Sequence, residues 1–211
     1  GENVAGRHVG IGHGIYLSKD SGSTWDDMGL NKSEHISKII VHPDNSNIIW
    51  VASQGPLWNS GGDRGLFMST DGGNSWSNKL YVNEWTGVTD IIIDPTNPDI
   101  LYAATWQRHR NVASLIDGGP GTSIYKSIDG GNTWNEIDSG LPSSNMGKIG
   151  LAISPMKPEV IYAAIELDRR SGAVFRSDNS GGVWRKMSNT VAGATGPHYY
   201  QAVSYTHLTL P

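Results

Sequence analysis

A repeat of about fifty residues constrains the fold of this chain more than any other feature of its sequence. The pattern S-x-D-x-G-x-[ST]-W leads to four tryptophans at spacings of 51, 58 and 50 residues, namely Trp25, Trp76, Trp134 and Trp184. A second pattern, two apolar runs joined by a proline-containing turn, recurs between them at Pro43, Pro95 and Pro155. Two interleaved patterns with one period indicate a repeat architecture, in which neighbouring units bury each other's apolar faces.

Each unit predicts four short antiparallel strands. In the first full unit they cover residues 36–41, 48–52, 66–69 and 75–80, which are apolar or β-branched runs bounded by Gly, Pro, Asn and Asp. No stretch keeps a 3.6-residue apolar period long enough for a helix. The sequence therefore predicts an all-β chain, a β-propeller fragment with four-stranded antiparallel blades, comprising about four blades of a larger, incomplete propeller.

The repeat also predicts where the blades begin and end. We expect a partial blade at 1–30, full blades at 31–82, 83–142 and 143–190, and the start of another at 191–202, where His198, Tyr199 and Tyr200 open its inner strand. Residues 203–211, VSYTHLTLP, carry no repeat pattern and resemble a translated adapter from DNA library preparation, so we expect an artefactual tail. The remaining blades of the same chain are expected partners of this fragment.

The S-x-D-x-G-x-[ST]-W pattern predicts a tight hairpin between the third and fourth strands of each unit. An aspartate accepts backbone N–H groups across such a turn, a glycine supplies positive φ, and the tryptophan packs on neighbouring strands. The four copies are Ser18, Asp20, Gly22 and Trp25; Ser69, Asp71, Gly73 and Trp76; Ser127, Asp129, Gly131 and Trp134; and Ser177, Asn179, Gly181 and Trp184. The fourth copy departs from the pattern, with Asn179 in place of Asp and Val183 in place of Ser or Thr. A carboxylate repeated in three units indicates a turn rather than catalysis or calcium binding.

Composition excludes several classes of protein. Lys and Arg number 16 against 20 Asp and Glu, so no basic field exists to hold nucleic acid. The chain has no Cys, which excludes disulfide scaffolds and thiolate metal sites. Apolar runs such as 91–93 fall far short of the ~18 residues that a transmembrane segment needs. Because no metal-ligand spacing or phosphate loop occurs either, we predict no metal and no cofactor.

Longer, irregular loops are predicted on one face of the blades, because successive turns of an up-and-down blade alternate between two faces. These loops, at 54–64, 106–122 and 166–172, lie opposite the hairpins and are where binding residues usually occur. With the linkers between blades they supply the candidate ligand-binding residues Trp58, Arg64, Trp85, Trp106, Arg108, Arg110, Asp117 and Asp168.

Two alternatives remain open for several of these side chains. Trp58 and Trp106 are either loop aromatics folded over the top of the blade or stacking platforms for a sugar ring or a peptide side chain. The charged residues 108–110 either are solvated or form ion pairs between blades, or they clamp a ligand.

The motifs resemble a known repeat family. The hairpin pattern resembles the Asp-box, or bacterial neuraminidase repeat, of sialidases, xyloglucan-degrading glycosidases, a photosystem II assembly factor and sortilins. HISKIIVHPDNSNIIWVASQGPLW, ILYAATWQR and GGPGTSIYKSIDGGNTW resemble a large bacterial group labelled sortilin-N-terminal-like or glycosyl hydrolase. The resemblance covers residues 1–202 and implies a β-propeller of an exported protein, which would be secreted, periplasmic or at the cell surface.

Three functions are compatible with this resemblance. Its preferred implication is a non-catalytic, sortilin-like binding or scaffolding module that holds a peptide, protein or glycan on the long-loop face. A glycoside hydrolase of sialidase or xyloglucanase type, and an assembly factor for a membrane protein, are the alternatives. The Arg-Ile-Pro motif of sialidases is absent. A two-carboxylate glycosidase needs two closely placed acids, and the candidates Asp63, Glu84, Asp117, Glu166 and Asp168 are unpaired in the sequence. Catalytic residues stay unassigned.

Overall fold

The structure, a computed structural model, describes residues 6–168 and 171–191. Over these ranges the chain folds into fifteen β-strands in four antiparallel sheets. No helix within them is long and apolar enough to cross a membrane. The strand expected around 198–200, the tail at 203–211 and the arginines at 169 and 170 lie outside the described residues.

The four sheets follow one another along the chain. The first sheet has β1 (Tyr16–Leu17) and β2 (Asp26–Asp27), and the second has β3 (Ile36–His42), β4 (Asn45–Ser53), β5 (Gly65–Ser69) and β6 (Ser77–Leu80). The third has β7 (Thr86–Ile93), β8 (Leu101–Arg110), β10 (Ile124–Ser127) and β11 (Asn135–Glu136), with β9 (Leu115–Asp117) paired to the end of β8. The fourth has β12 (Ile149–Ile153), β13 (Ile161–Asp168), β14 (Ser171–Ser177) and β15 (Arg185–Val191).

The core lies between the faces of consecutive sheets. Alternate residues of each strand point to opposite faces, so one strand serves two interfaces. In β7, Ile91 packs towards the second sheet, whereas its neighbour Ile92 packs towards the fourth. The innermost strand β7 lies against both β3 and β12, which places the first strands of the three larger sheets side by side.

Aromatic side chains of the second strands join each sheet to the hairpin of the next sheet. Trp50 in β4 donates its indole N–H to the carbonyl of Gly130 at 3.1 Å. Tyr102, at the same position in β8, donates its hydroxyl to the carbonyl of Ser180 at 3.3 Å. Both rings are completely buried. The same contact thus recurs at two successive interfaces.

Two of the hairpin tryptophans bond in the opposite direction, to the preceding sheet, whereas Trp134 donates to Gly131 of its own hairpin at 3.0 Å. The indole N–H of Trp76 bonds to the carbonyl of Met28 at 2.7 Å, and that of Trp184 bonds to Ile137 at 2.9 Å. Trp25 differs from the expectation, since its ring is 61% exposed. The first sheet has only two short strands among the described residues, so no neighbouring strand covers this ring.

The hairpins have the local geometry that the repeat predicts. The Asp71 carboxylate accepts the backbone N–H of Ser75 at 2.9 Å, and Gly73 has a φ of 92°. Hydrogen bonds, chiefly from Ser75 and then from Ser69, lower the pKa of Asp71 to about 2. Equivalent bonds occur at Asp20, Asp129 and Asn179.

Each hairpin is also tied to the proline-containing turn of its own sheet. The three backbone bonds are Gly72 to Asn47, Gly130 to Asp99 and Ser180 to Glu159, at 2.9–3.0 Å. Hairpins and turns therefore share one face, and the loops lie at the other end. Two four-stranded antiparallel sheets and one of four strands extended by β9, all preceded by a two-stranded sheet, form a partial β-propeller.

Candidate functional site

The ends of the sheets opposite the hairpins form a surface that we call the loop face, made of residues 54–64, 83–85 and 106–117. Backbone hydrogen bonds hold these segments together, although they come from different sheets. Gly61 donates to Glu84 at 2.8 Å, and Arg110 donates to Leu57 at 3.0 Å. Segments that are separate in the sequence therefore form one continuous surface.

Part of this surface is strand rather than loop. Residues 106–110 continue β8, and β9 pairs with them in the register Arg108 to Asp117. The expected loop at 166–172 is likewise occupied by the ends of β13 and β14. The expectation of long irregular loops at these two places is wrong, because strand partners satisfy the backbone of these polar stretches. The segment 54–64 contains no strand, and residues 118–122, between β9 and β10, are also irregular.

Arg64 organises that loop from inside. Its guanidinium donates to the carbonyls of Gln54 at 2.7 Å and Trp85 at 3.2 Å. Further acceptors are the carbonyls of Pro56, Asn59 and Gly61. The residue is 1% exposed, and burial lowers the pKa of Arg64 to about 10. Its donors thus bind backbone of the loop and of the neighbouring linker, which fixes the position of both.

An aromatic pair lies partly open on the loop face. The rings of Trp85 and His109 stack with centroids 4.1 Å apart and planes 4° from parallel. Both side chains are half-buried. Trp58 is 37% exposed, and its neighbour Leu57 is bonded to Arg110 at the end of β8. Trp85 and Trp58 are candidates from the sequence, but no pattern in the sequence combines either of them with His109.

Trp106 occupies a buried position below this surface. It is 1% exposed and packs with Leu57, as in the first of the two alternatives for this ring. Two cations lie over the ring, with Arg108 at 5.1 Å and the Lys148 ammonium at 5.5 Å from its centroid. Such contacts strengthen when both partners are removed from water.

The two cations beside Trp106 are almost completely buried. Arg108 is 0% exposed and donates to the carbonyl of Gly55 at 3.1 Å. Burial, and then the charge of Arg64, lower the pKa of Arg108 to about 9. Burial and the nearby Arg108 lower the pKa of Lys148 to about 8, against the opposing effect of Asp117. Arg108 therefore faces protein groups rather than the open surface.

Asp90 is a buried charge that sequence reasoning missed. One carboxylate oxygen lies 2.9 Å from the Lys38 ammonium on β3, and the other accepts the backbone N–H of Leu151 on β12 at 2.8 Å. A single side chain thus connects the inner strands of three sheets. The sequence feature that could have indicated this ion pair is the opposite charge of Lys38 and Asp90 at the same position of consecutive repeats.

The remaining acidic candidates are spread over the molecule. Asp168 caps its own hairpin, accepting the backbone N–H of Ser171 at 3.0 Å. Asp63 accepts the backbone N–H of Lys32 at 2.9 Å, and Glu166 is 4% exposed. Glu84 is exposed beside Trp85. Over residues 6–168 and 171–191, no group of three His, Asp or Glu side chains is placed to hold a metal ion.

The fold is that of a β-propeller, and the chain is similar in sequence and in structure to several known proteins. No family model matches the chain. A xyloglucanase of Paenibacillus sp is 24% identical over 211 residues, covering 83% of this chain and 19% of that protein. A probable oligoxyloglucan-reducing end-specific xyloglucanase of Neosartorya fischeri is 27% identical, covering 58% and 14%. The chain spans less than a fifth of the length of these curated relatives.

Solved structures agree on the fold. An ancestral GH74 enzyme superposes with a TM-score of 0.63 at 23% identity, covering 83% of this chain and 21% of that one. The GH74 xyloglucanase of Xanthomonas campestris gives 0.60 at 18%, covering 83% and 27%. The GH74 enzyme of Niastella koreensis gives 0.62 at 18%, covering 82% and 26%. The chain therefore shares the β-propeller fold of these structures.

These relatives correct the preferred functional interpretation of the sequence. The interpretation of the chain as a non-catalytic, sortilin-like binding module is wrong, because the curated relatives are xyloglucanases, which are glycoside hydrolases. The error has a physical cause. The hairpin repeat encodes turns and packing, which are common to propellers of different function, and so it does not distinguish among them. The assembly-factor alternative gains no support from these matches.

Proposed function

We propose that this chain is part of a glycoside hydrolase propeller that acts on a xyloglucan-type polysaccharide, with the loop face as its glycan-binding surface. The observation that carries the proposal is the similarity to the Paenibacillus xyloglucanase over 83% of the chain. Hydrolysis is proposed for the whole protein, and glycan binding for the residues of this chain.

The geometry of the loop face supports glycan binding. Flat aromatic rings bind the apolar faces of sugar rings, and polar groups around them orient the hydroxyls. Trp85, stacked on His109, and Trp58 supply the rings. Arg64 holds both backbone segments in place through five carbonyls, so the surface is largely formed before a ligand arrives.

The roles of the other candidates follow from their surroundings. Trp106 and Arg108 are proposed to support the surface from below, because both are buried. Glu84 is the acid that we propose for contact with the glycan, since it is exposed and adjacent to Trp85. Asp63 and Asp168 already accept backbone N–H groups and are proposed to shape their turns.

We also propose the finer assignments that the repeat suggests. The hairpins are of the Asp-box, or bacterial neuraminidase repeat, type, and the blades divide at 1–30, 31–82, 83–142 and 143–190. Another blade begins at 191–202. Secretion is proposed as well, because a polysaccharide substrate of this size lies outside the cell.

Affinity electrophoresis tests the proposal. The chain is run in native gels with and without dissolved xyloglucan, together with Trp85→Ala, Trp58→Ala and the control Trp25→Ala, which removes an exposed ring from the hairpin face. We expect xyloglucan to retard the chain and the control. Each of the other two variants loses about tenfold in affinity if its ring contributes about 1.4 kcal/mol.

Two results would contradict this function. One is migration of the chain that xyloglucan does not change. The other is retardation that persists in both loop-face variants. Hydrolysis is measured separately, as reducing ends released from xyloglucan by the intact protein.

A further inference from the structure

Glu34 lies in the linker between the first and second sheets, and hydrogen bonds on both sides of it join this linker to the loop between β4 and β5. The backbone N–H of Gln54 bonds to the carbonyl of His35 at 2.8 Å, and that of Asp63 bonds to the carbonyl of Lys32 at 3.1 Å. Glu34 lies between these two bonds in the sequence. It therefore belongs to the edge of the loop face.

The backbone of Glu34 has a left-handed conformation, with a φ of 54°. A side chain raises the free energy of this conformation, because its Cβ comes close to the following carbonyl oxygen. The equivalent residues of the next two repeats are Thr86 and Met146, nine positions before the prolines of their turns, and neither has a positive φ. The repeat therefore does not require this conformation. Backbone strain of this kind is concentrated at functional sites.

The carboxylate of Glu34 has no hydrogen-bond donor among the residues that the structure describes. Its side chain is 25% exposed, and one oxygen lies 3.9 Å from Nε2 of the buried His35 imidazole. That distance is too long for a hydrogen bond. Because burial has removed part of its hydration, this carboxylate is stabilised by a ligand that donates hydrogen bonds to it.

Two buried arginines lie near the Glu34 carboxylate. Burial lowers the pKa of Arg64 to about 10, and the negative charge of Glu34 opposes this effect. Burial, and then the charge of Arg64, lower the pKa of Arg108 to about 9, which Asp117 and Glu34 both oppose. The charge of Glu34 thus acts on both arginines. Their positive charge favours an uncharged hydrogen-bond donor over a cation as the ligand of this carboxylate.

We propose that Glu34 is a further ligand-binding residue of the loop face, where its carboxylate accepts hydrogen bonds from hydroxyl groups of the bound glycan. This role rests on the proposed function, because the ligand is the glycan that stacks on Trp85. Arg64 donates to the carbonyl of Trp85 at 3.2 Å and lies near Glu34, so the aromatic ring and the carboxylate are neighbours of the same guanidinium. A polysaccharide that extends from Trp85 above the buried Arg64 presents uncharged hydroxyl donors to Glu34.

Two substitutions of Glu34 separate ligand binding from folding. Glu34→Gln keeps the size of the side chain and the strained backbone but removes the charged acceptor, so we expect the affinity for xyloglucan to fall at least about tenfold. Glu34→Gly removes the side chain and adopts the left-handed conformation without strain, so we expect the same loss of affinity with a urea midpoint equal to or above that of the unchanged chain. Affinity is measured by retardation in native gels that contain xyloglucan, and the midpoint by circular dichroism.

Glu159→Gln is the matched control, because it makes the same chemical change at a distant position. Glu159 is exposed in the proline-containing turn of the fourth sheet, and its carbonyl accepts the backbone N–H of Ser180 in the hairpin. The residue therefore lies at the end of the sheet opposite the loop face. We expect this variant to keep both the affinity for xyloglucan and the urea midpoint of the unchanged chain.

Two results would overturn the role of Glu34 while leaving the proposed function intact. One is retardation of Glu34→Gln by xyloglucan that equals the retardation of the unchanged chain. The other is a urea midpoint that falls in both Glu34 variants, which would show that the carboxylate serves the fold as a counter-charge for Arg64 and Arg108. If xyloglucan does not retard the unchanged chain, the proposed function fails, and the role of Glu34 fails with it.

Discussion

Replacing the hairpin tryptophans one at a time tests whether each contributes to stability in proportion to its burial, although all of them occupy the same position of the repeat. Trp184 is 2% exposed and its indole N–H bonds to Ile137 of the preceding sheet, whereas Trp25 is 61% exposed and bonds to Gly22 of its own hairpin. A buried Trp side chain removes about 200 Å² from water, which corresponds to about 5 kcal/mol. Trp25 keeps about two fifths of that burial, which sets an upper bound of about 2 kcal/mol.

We therefore expect Trp184→Ala to lower the free energy of unfolding by about 3–5 kcal/mol, and Trp25→Ala to lower it by less than about 2 kcal/mol. With a urea m-value of about 2 kcal/mol/M, the midpoints fall by about 1.5–2.5 M and by less than about 1 M. Unfolding is followed by far-UV circular dichroism, because each substitution alters the fluorescence.

A milder variant covers the case in which Trp184→Ala does not fold. Trp184→Phe keeps an aromatic ring but leaves the Ile137 carbonyl without its donor, so we expect a loss of about 1–3 kcal/mol. If Trp25→Ala destabilises the chain as much as Trp184→Ala does, burial does not control the contribution of these side chains, and the reasoning is refuted.

Two further predictions concern Asp71 and Arg64. The hydrogen-bonded Asp71 has its pKa lowered from 3.8 to about 2, so the stability that its ionised form contributes is present above pH 3.8 and is lost as pH falls through about 2. Asp71→Asn, which copies the natural Asn179, is expected to reduce the difference between urea midpoints at pH 6 and pH 2.5, and an unchanged difference would contradict this assignment. Arg64→Lys cannot bridge five carbonyls with one ammonium group, so we expect unfolding to become easier by about 1–3 kcal/mol and protease cleavage within 54–64 to become faster. Arg7→Lys is the control, because Arg7 is exposed. Equal rates of cleavage within 54–64 in the two variants would show that Arg64 does not hold the loop.

Short-range patterns were sufficient for the elements that depend on neighbours in sequence. The hairpin around Asp71 could be predicted because its bonds join residues four positions apart or fewer. The strands of the second sheet also follow the prediction closely, with β3 at Ile36–His42 against the expected 36–41. Apolar alternation and turn residues act locally, so one unit carries enough information for them.

The site was less predictable, because its contacts cross from one unit to another. Arg108 was expected in a loop, yet it lies in β8 and is buried, with its guanidinium bonded to the carbonyl of Gly55, 53 residues earlier. The stack of Trp85 on His109 joins a linker to a strand end that local patterns assigned to a loop. A polar run without Gly or Pro becomes strand only when another backbone segment satisfies its hydrogen bonds.

The amino-acid order alone specifies the period of the repeat, the four-stranded unit and its hairpins, since each of these results from interactions within a few residues. Tertiary packing alone decides which copy of a repeated residue is buried. Ile39, Ile91 and Leu151 occupy one position of the repeat, yet only the first is exposed, because burial is a property of the sheet that lies opposite and not of the strand itself.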